Sequence, residues 1–320
     1  MRGTFQSASV QVAVDSRVPW VSRLIQEACP GAFTHDFTVT HTLQVQVEAE
    51  RAAFDLGGFE LVTRGAWSRA GTVVIENFCS SGFDVMLRCT EERATFTYRW
   101  RPPPRVRLAS AAAPSTFVLL ARAALLQYPV LWWAGVHGRA PLHAAVCTVG
   151  SAIPLLAGPG GLGKSALLAR ELAAGARATC DNVCVANGLT AWGLVEPVWI
   201  ATGQGRRIAH GHSEMPIKGW VPRLTPDCIV VLRRISDEPF GTRRCDPATA
   251  ARTLVTGTYM AGELRRYWGA AATLTAATGL GPAHPQVDEV ARRFASELPC
   301  LEVGVPQKAG PRLADLLGFT

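Results

Sequence analysis

Gly158-Pro159-Gly160-Gly161-Leu162-Gly163-Lys164-Ser165 fits the pattern Gly-x-x-x-x-Gly-Lys-Ser at every position. An apolar run, Leu155-Leu156-Ala157, leads into it, and a helix-forming run, Ser165-Ala166-Leu167-Leu168-Ala169-Arg170, follows. That strand–loop–helix setting separates a phosphate-binding loop from a chance match. The glycines let the backbone wrap around phosphates with N–H groups turned inward. The helix adds its positive N-terminal end. Lys164 is a compact cation that reaches β- and γ-phosphates, and Ser165 offers a hydroxyl to Mg2+. The motif therefore predicts ATP and Mg2+ as cofactors, with nucleotide contacts at Gly158, Pro159, Gly160, Gly161, Leu162, Gly163, Lys164, Ser165 and Ala166.

A phosphate-binding loop does not name a reaction. The Asn-Lys-x-Asp base-reading motif of GTPases is absent downstream, and Thr202-Gly203-Gln204-Gly205 is not the ABC-ATPase signature. The first acidic residue past the loop helix is Asp181, 17 residues beyond Lys164 and at the end of the next expected strand. A carboxylate emerging there could bind Mg2+ or accept a proton from an attacking hydroxyl; the plain alternative is an Asp capping a turn. His143 lies 21 residues before Lys164 and, read alone, is a core or edge histidine. Glu196 could complete a metal site with Ser165 and Asp181, against the simpler reading of a surface glutamate. Arg206, Arg207 and Lys218 form a basic, glycine-flanked segment that could clamp an acceptor or a phosphate, or could be a solvated loop. His210 and His212 lack a third ligand nearby.

Upstream, residues 4 to 105 read as β-rich. Ser9 to Val14, Phe37 to Thr40, Leu43 to Val47, Gly71 to Ile75 and Ala94 to Tyr98 alternate apolar and polar residues. One helix is expected over Trp20 to Ala28. Pro102-Pro103-Pro104 marks the expected boundary, giving a β-rich region over 1–105 and a P-loop α/β domain with a mixed sheet over 106–320. A helix over Ser115 to Trp133 follows. Then come a strand over His143 to Val149 and the return strand Ile153 to Ala157, which Pro154 assigns to an edge or to an irregular start. Asn187-Gly188 predicts a type I′ hairpin. Asp246-Pro247 predicts a capped helix to Met260. A strand is expected at Cys228 to Leu232, a helix near Gln286 to Leu298, a strand at Cys300 to Val305 and a short helix near Pro311 to Leu317.

The 320 residues carry 32 Lys+Arg against 25 Asp+Glu, a net +7, but only three of the cations are lysines. The charges are scattered, so nucleic acid is not an expected partner. The apolar stretch Phe117 to Val136 is interrupted by Arg122, Gln127 and Pro129, which favours a buried helix over a membrane span. The start of the chain has no unbroken apolar run, and nine dispersed cysteines form no Cys-x-x-Cys pair. These features predict reduced thiols and a cytoplasmic location.

The stretch from His143-Ala144-Ala145-Val146 through the glycine loop to Cys180-Asp181-Asn182-Val183 resembles the catalytic domain of HPr kinase/phosphorylase. In that family a His opens a hairpin running into the loop, and an Asp-Asp pair closes the next strand. The resemblance implies a fold related to phosphoenolpyruvate carboxykinase. Pro141-Leu142-His143-Ala144 and the overall layout look more narrowly like the HPr-kinase-like tailoring kinases of bacterial natural-product clusters, those for lasso peptides included. The specific match covers about 135 to 200. By that resemblance Asp181 is the general base, His143 lies near the transferred phosphate, and Glu196 is a metal candidate. Asn182 departs from the pattern and removes one anionic ligand. The HPr-docking signature is not recognisable, so HPr is not the expected substrate.

The expected activity is ATP-dependent phosphorylation of a hydroxyl on a peptide or small natural product, with catalysis by Lys164, Asp181 and His143. The alternatives are a nucleotide-binding sensor without turnover and a kinase for a sugar, nucleoside or amino-acid derivative. The partner is the acceptor, and a homo-oligomer stays open.

Overall fold

The computed structural model describes residues 1–29, 32–35, 41–200, 206–207, 212–235, 242–306 and 311–318, with the backbone alone at 206, 207 and 306. It is a mixed α/β protein of two compact units, Met1–Gly138 with Arg266–Pro285, and Arg139–Arg265 with Gln286–Thr320.

The first unit is built on an eight-stranded mixed sheet. Leu43–Glu48 runs parallel to both of its neighbours, Val10–Ser16 and Ala94–Trp100. Its alternating Leu43, Val45 and Val47 are all buried, which is why period two was legible there. The expected strand at Phe37 to Thr40 lies outside the described residues. The helix Pro19–Ala28 agrees with expectation, with Val21, Leu24, Ile25 and Ala28 buried along one face.

The boundary placed at 105 is not where the units divide. The helices after the proline triplet belong with the N-terminal sheet: Tyr98 donates to the Ala124 carbonyl at 2.8 Å, and Trp133 Nε1 to Thr42 Oγ1 at 3.2 Å. The prolines end a strand and start the helix Pro104–Ala112, because proline suits a first helical turn as well as a linker. The helical stretch Pro114–Val136 is long and apolar enough to cross a membrane, yet 72% of its most apolar window is buried inside the protein. It widens to a π-turn at Ala123–Gln127, just before Pro129. Proline has no N–H for the carbonyl four residues back, and a wider turn accommodates that break.

The second unit centres on a six-stranded sheet in which Pro154–Ala157 is interior. It pairs antiparallel with Ala145–Cys147 and parallel with Cys228–Ile235, which in turn runs parallel to Cys300–Pro306. Pro154 is therefore not an edge marker. It occupies the first residue of the strand, where the ladder asks least of its missing N–H. Leu156, Leu167, Leu168, Val230 and Val303 pack into one core between this sheet and the loop helix Lys164–Ala173. Glu171 of that helix is buried and takes hydrogen bonds from Arg312 at 2.8 Å and from the Ala314 N–H, which ties the C-terminal helix Leu313–Leu317 down. A four-stranded antiparallel sheet, which includes Ala140–Leu142 and Cys184–Ala186, lies alongside.

The expected type I′ turn at Asn187-Gly188 is instead a four-residue loop, since Ala186 pairs with Ala191. The Asn187 side chain accepts from the Leu189 and Thr190 N–H groups. Only Gly188 takes a positive φ, so the Asx turn displaced the mirror-image turn. The helix Pro247–Met260 starts as expected, with Asp246 accepting from the Thr249 N–H at 2.9 Å. All nine cysteines are free.

Candidate functional site

Two segments, 140–147 and 178–186, run antiparallel and change sheets together. Ala140–Leu142 pairs with Cys184–Ala186 in the four-stranded sheet, while Ala145–Cys147 pairs with Ala178–Cys180 in the six-stranded one. The strand expected over His143 to Val149 is thus confined to Ala145–Cys147, with His143 and Ala144 outside it. The residues between the sheets form a corner: His143 and Ala144 on one segment, Asp181, Asn182 and Val183 on the other. Cys180 Sγ donates to the Ala144 carbonyl at 3.3 Å and fastens the corner. A polar side chain placed here emerges from the ladders instead of standing within them.

The glycine loop arrives at the same place from the interior strand. Gly163 adopts φ +98° at the N-cap of the loop helix, a conformation glycine takes at no steric cost. No atom lies within 4 Å of where a Cβ would stand on Gly160 or Gly161, so the loop opens on free space. The Lys164 ammonium is buried and donates to the carbonyls of Gly158 at 2.7 Å and Pro159 at 3.3 Å. Burial lowers its pKa to about 8, partly countered by the charges of Asp181 and Glu263.

Asp181 is 1% exposed. Its Oδ2 accepts from the Trp199 N–H at 3.1 Å, and its Oδ1 is buried without a hydrogen-bond partner. Burial pushes its carboxyl up to about 6 against the Trp199 N–H, the nearby Ser165 hydroxyl and Lys164. Glu196 is buried, not on the surface, and accepts from the Val183 N–H at 3.2 Å. Burial, then repulsion from Asp181, raises it to about 8. His143 donates its backbone N–H to Thr258 Oγ1 at 3.0 Å, and its Nε2 lies 2.9 Å from Asn182 Oδ1. Burial and the Lys164 charge depress the imidazole to about 4, so it is neutral at pH 7.

The fold thus brings together Lys164, Ser165, Asp181, His143 and Glu196. It does not bring Lys218 to them. That residue stands exposed in a turn beside Ala178, at the end of the strand away from Asp181. Arg206 and Arg207 form a two-residue strand paired with Ser213–Met215, and their side chains lie outside the described residues. His210 and Lys308 lie outside them as well.

Sequence reading missed two contributors. Glu263, in the short turn Gly262–Leu264, acts electrostatically on His143, Lys164, Asp181 and Glu196 alike. Thr258 positions His143 from 115 residues away. Neither belongs to a local motif. The one available hint was that both follow from the capped helix at Asp246.

Among the described residues no group of three or more His, Cys, Asp or Glu side chains converges as metal ligands. The oxygen set that is present, Ser165 beside the unpartnered Asp181 Oδ1, nevertheless fits Mg2+. That ion is usually held by one or two carboxylates together with substrate phosphates, not by an all-protein cage.

No family model matches the chain, and no curated protein matches it. Among solved structures it is similar to the HPr(Ser) kinase/phosphatase from Coxiella burnetii, at 18% identity and a TM-score of 0.24. The similarity takes in 29% of this chain and 65% of that one, so this chain spans less than two thirds of that protein's length. A superposition this loose establishes neither the fold nor the activity.

Proposed function

We propose that this protein is an ATP-dependent phosphotransferase acting on a hydroxyl. One observation carries the reading: a buried ammonium inside an open glycine loop stands in the field of a buried carboxylate whose Oδ1 has no partner. Burying both groups is costly unless something compensates them, and a Mg2+–triphosphate supplies the missing partners for each. Lys164 and the loop amides would hold the phosphates. Ser165 and Asp181, with Glu196 behind them, would hold Mg2+, which when bound offsets phosphate charge.

The chemistry follows from Asp181. Its raised pKa makes it a better proton acceptor near neutral pH than an ordinary aspartate. As the acceptor oxygen attacks the γ-phosphorus, Asp181 takes the hydroxyl proton. The bond from the γ-phosphorus to the bridging oxygen breaks, and ADP leaves. His143, neutral and held by Asn182, contributes an uncharged polar edge. The acceptor class we favour is a Ser-type hydroxyl of a peptide or natural product, in keeping with the tailoring-kinase resemblance at Pro141 to Ala144.

A second reading, a nucleotide sensor without turnover, is favoured by Asn182, which leaves the corner with one carboxylate where two would hold metal more firmly. Single-turnover release of phosphate from γ-labelled ATP, measured for the native chain and for Asp181→Asn, separates the two. A phosphotransferase loses turnover in the variant while both chains bind ATP. A sensor binds ATP in both and turns over in neither.

A further inference from the structure

Arg234 belongs to the strand Cys228–Ile235, the parallel neighbour of the strand that feeds the glycine loop. The two run in register from Pro154 with Cys228 to Ala157 with Val231. Arg234, three residues further on, therefore emerges at the carboxyl end of the sheet beside the loop. Its Nη2 donates to the Gly161 carbonyl at 2.5 Å, across 73 residues of sequence. The side chain is exposed. The adjacent Arg233 and the nearby Arg243 are both neutralised by Glu302, at 3.5 Å and 2.5 Å. Among the described residues no carboxylate lies within ion-pair distance of Arg234.

A guanidinium carries five N–H donors in a fixed fork, and one of them rests on a neutral carbonyl. Hydrogen bonds between two ions are roughly twice as strong as neutral ones, so a phosphate oxygen brought to this loop outcompetes that carbonyl. Gly160 and Gly161 leave open space for the exchange.

Resting on the phosphotransferase reading, we propose that Arg234 is a further catalytic residue. Resting on Gly161, it swings onto the terminal phosphate of bound nucleotide and stabilises the charge that develops as the phosphoryl group transfers. It is a cation supplied in cis, from the neighbouring strand.

The test compares the full-length chain with Arg234→Ala and Arg234→Lys. ADP binding with Mg2+ is measured alone and again with fluoroaluminate, which mimics the transferring phosphoryl group. The expected result is ADP affinity within a few-fold of native in both variants, with trapping by fluoroaluminate weakened roughly 10²-fold or more in Arg234→Ala. Added guanidinium ion should partly restore trapping in Arg234→Ala, and Arg234→Lys should fall between. The proposal is overturned if Arg234→Ala traps ADP as the native chain does, or if ADP affinity alone falls as far as trapping does, which would make Arg234 only a support for the loop. It is also overturned if the native chain binds ADP without trapping it. A native chain that binds no nucleotide overturns the phosphotransferase reading itself, a distinct outcome.

Discussion

His143 Nε2 and Asn182 Oδ1 lie 2.9 Å apart across the corner where two antiparallel segments leave one sheet for another. The contact sets a neutral imidazole against a neutral amide. Asn182 thus holds the ring without charging it.

Asn182→Asp puts a carboxylate against that nitrogen. An opposite charge at this distance favours the imidazolium, so the His143 pKa should climb from about 4 toward or beyond its ordinary value near 6.5. Nitrogen chemical shifts of the imidazole, followed against pH, measure this. A pKa that stays near 4 would show that the two side chains do not touch.

Asp181 must be ionised to accept a proton, and Lys164 must be charged to hold phosphate. With their pKa values near 6 and 8, kcat/KM for ATP should rise through pH 6 and fall above pH 8. The limbs of kcat/KM report the free enzyme. Asp181→Asn should abolish turnover at every pH in this range.

The raised Asp181 pKa also has a consequence for stability. A carboxyl whose folded pKa exceeds its unfolded value contributes stability at low pH that is lost as pH rises through the folded pKa. Between pH 4 and 6 the empty protein should therefore lose stability on account of Asp181. Asp181→Asn removes the buried charge while an amide oxygen still accepts from Trp199. At pH 8 it should stabilise the empty chain by about 1–3 kcal/mol, read from urea unfolding. Destabilisation instead would mean that the Lys164 attraction outweighs the burial cost.

Lys164→Met leaves two carbonyls without their donor and removes the phosphate-facing cation. ATP affinity should fall about 10–100-fold in a calorimetric titration. Lys164→Arg should not rescue it, because a planar fork does not fit the compact space between the Gly158 and Pro159 carbonyls. Full affinity in the arginine variant would refute that packing argument.

Gly193 lies where the four-stranded and six-stranded sheets of the second unit meet. Its N–H donates to Thr179 Oγ1 at 2.8 Å, and a Cβ would fall 1.6 Å from the Thr179 carbonyl oxygen. Gly193→Ala must push apart the strand that carries Asp181. A loss of about 2–4 kcal/mol in unfolding free energy is expected, with turnover falling further than stability alone explains. A variant that keeps native stability would mean the sheets tolerate separation here.

The amino-acid sequence by itself specified the glycine loop, its lysine and serine, and the strand and helix flanking them. Those features are local: the positive φ at Gly163 and the helix start at Lys164 arise within a few consecutive residues. It also marked Asp181 as the first acidic residue past the loop helix, joined to the loop by that helix and one short strand; His143, read alone, was a core or edge histidine. What tertiary structure alone decided depends on pairing between distant segments. The sheet-to-sheet corner turned Asn182 onto His143 and buried Glu196. The parallel pairing of Pro154–Ala157 with Cys228–Ile235 brought Arg234 to Gly161. Helix packing carried Thr258 and Glu263 to the site, and long-range burial drew the Pro114–Val136 helix into the N-terminal unit. No local periodicity encodes such contacts, because each depends on which strand finds which partner once the core closes.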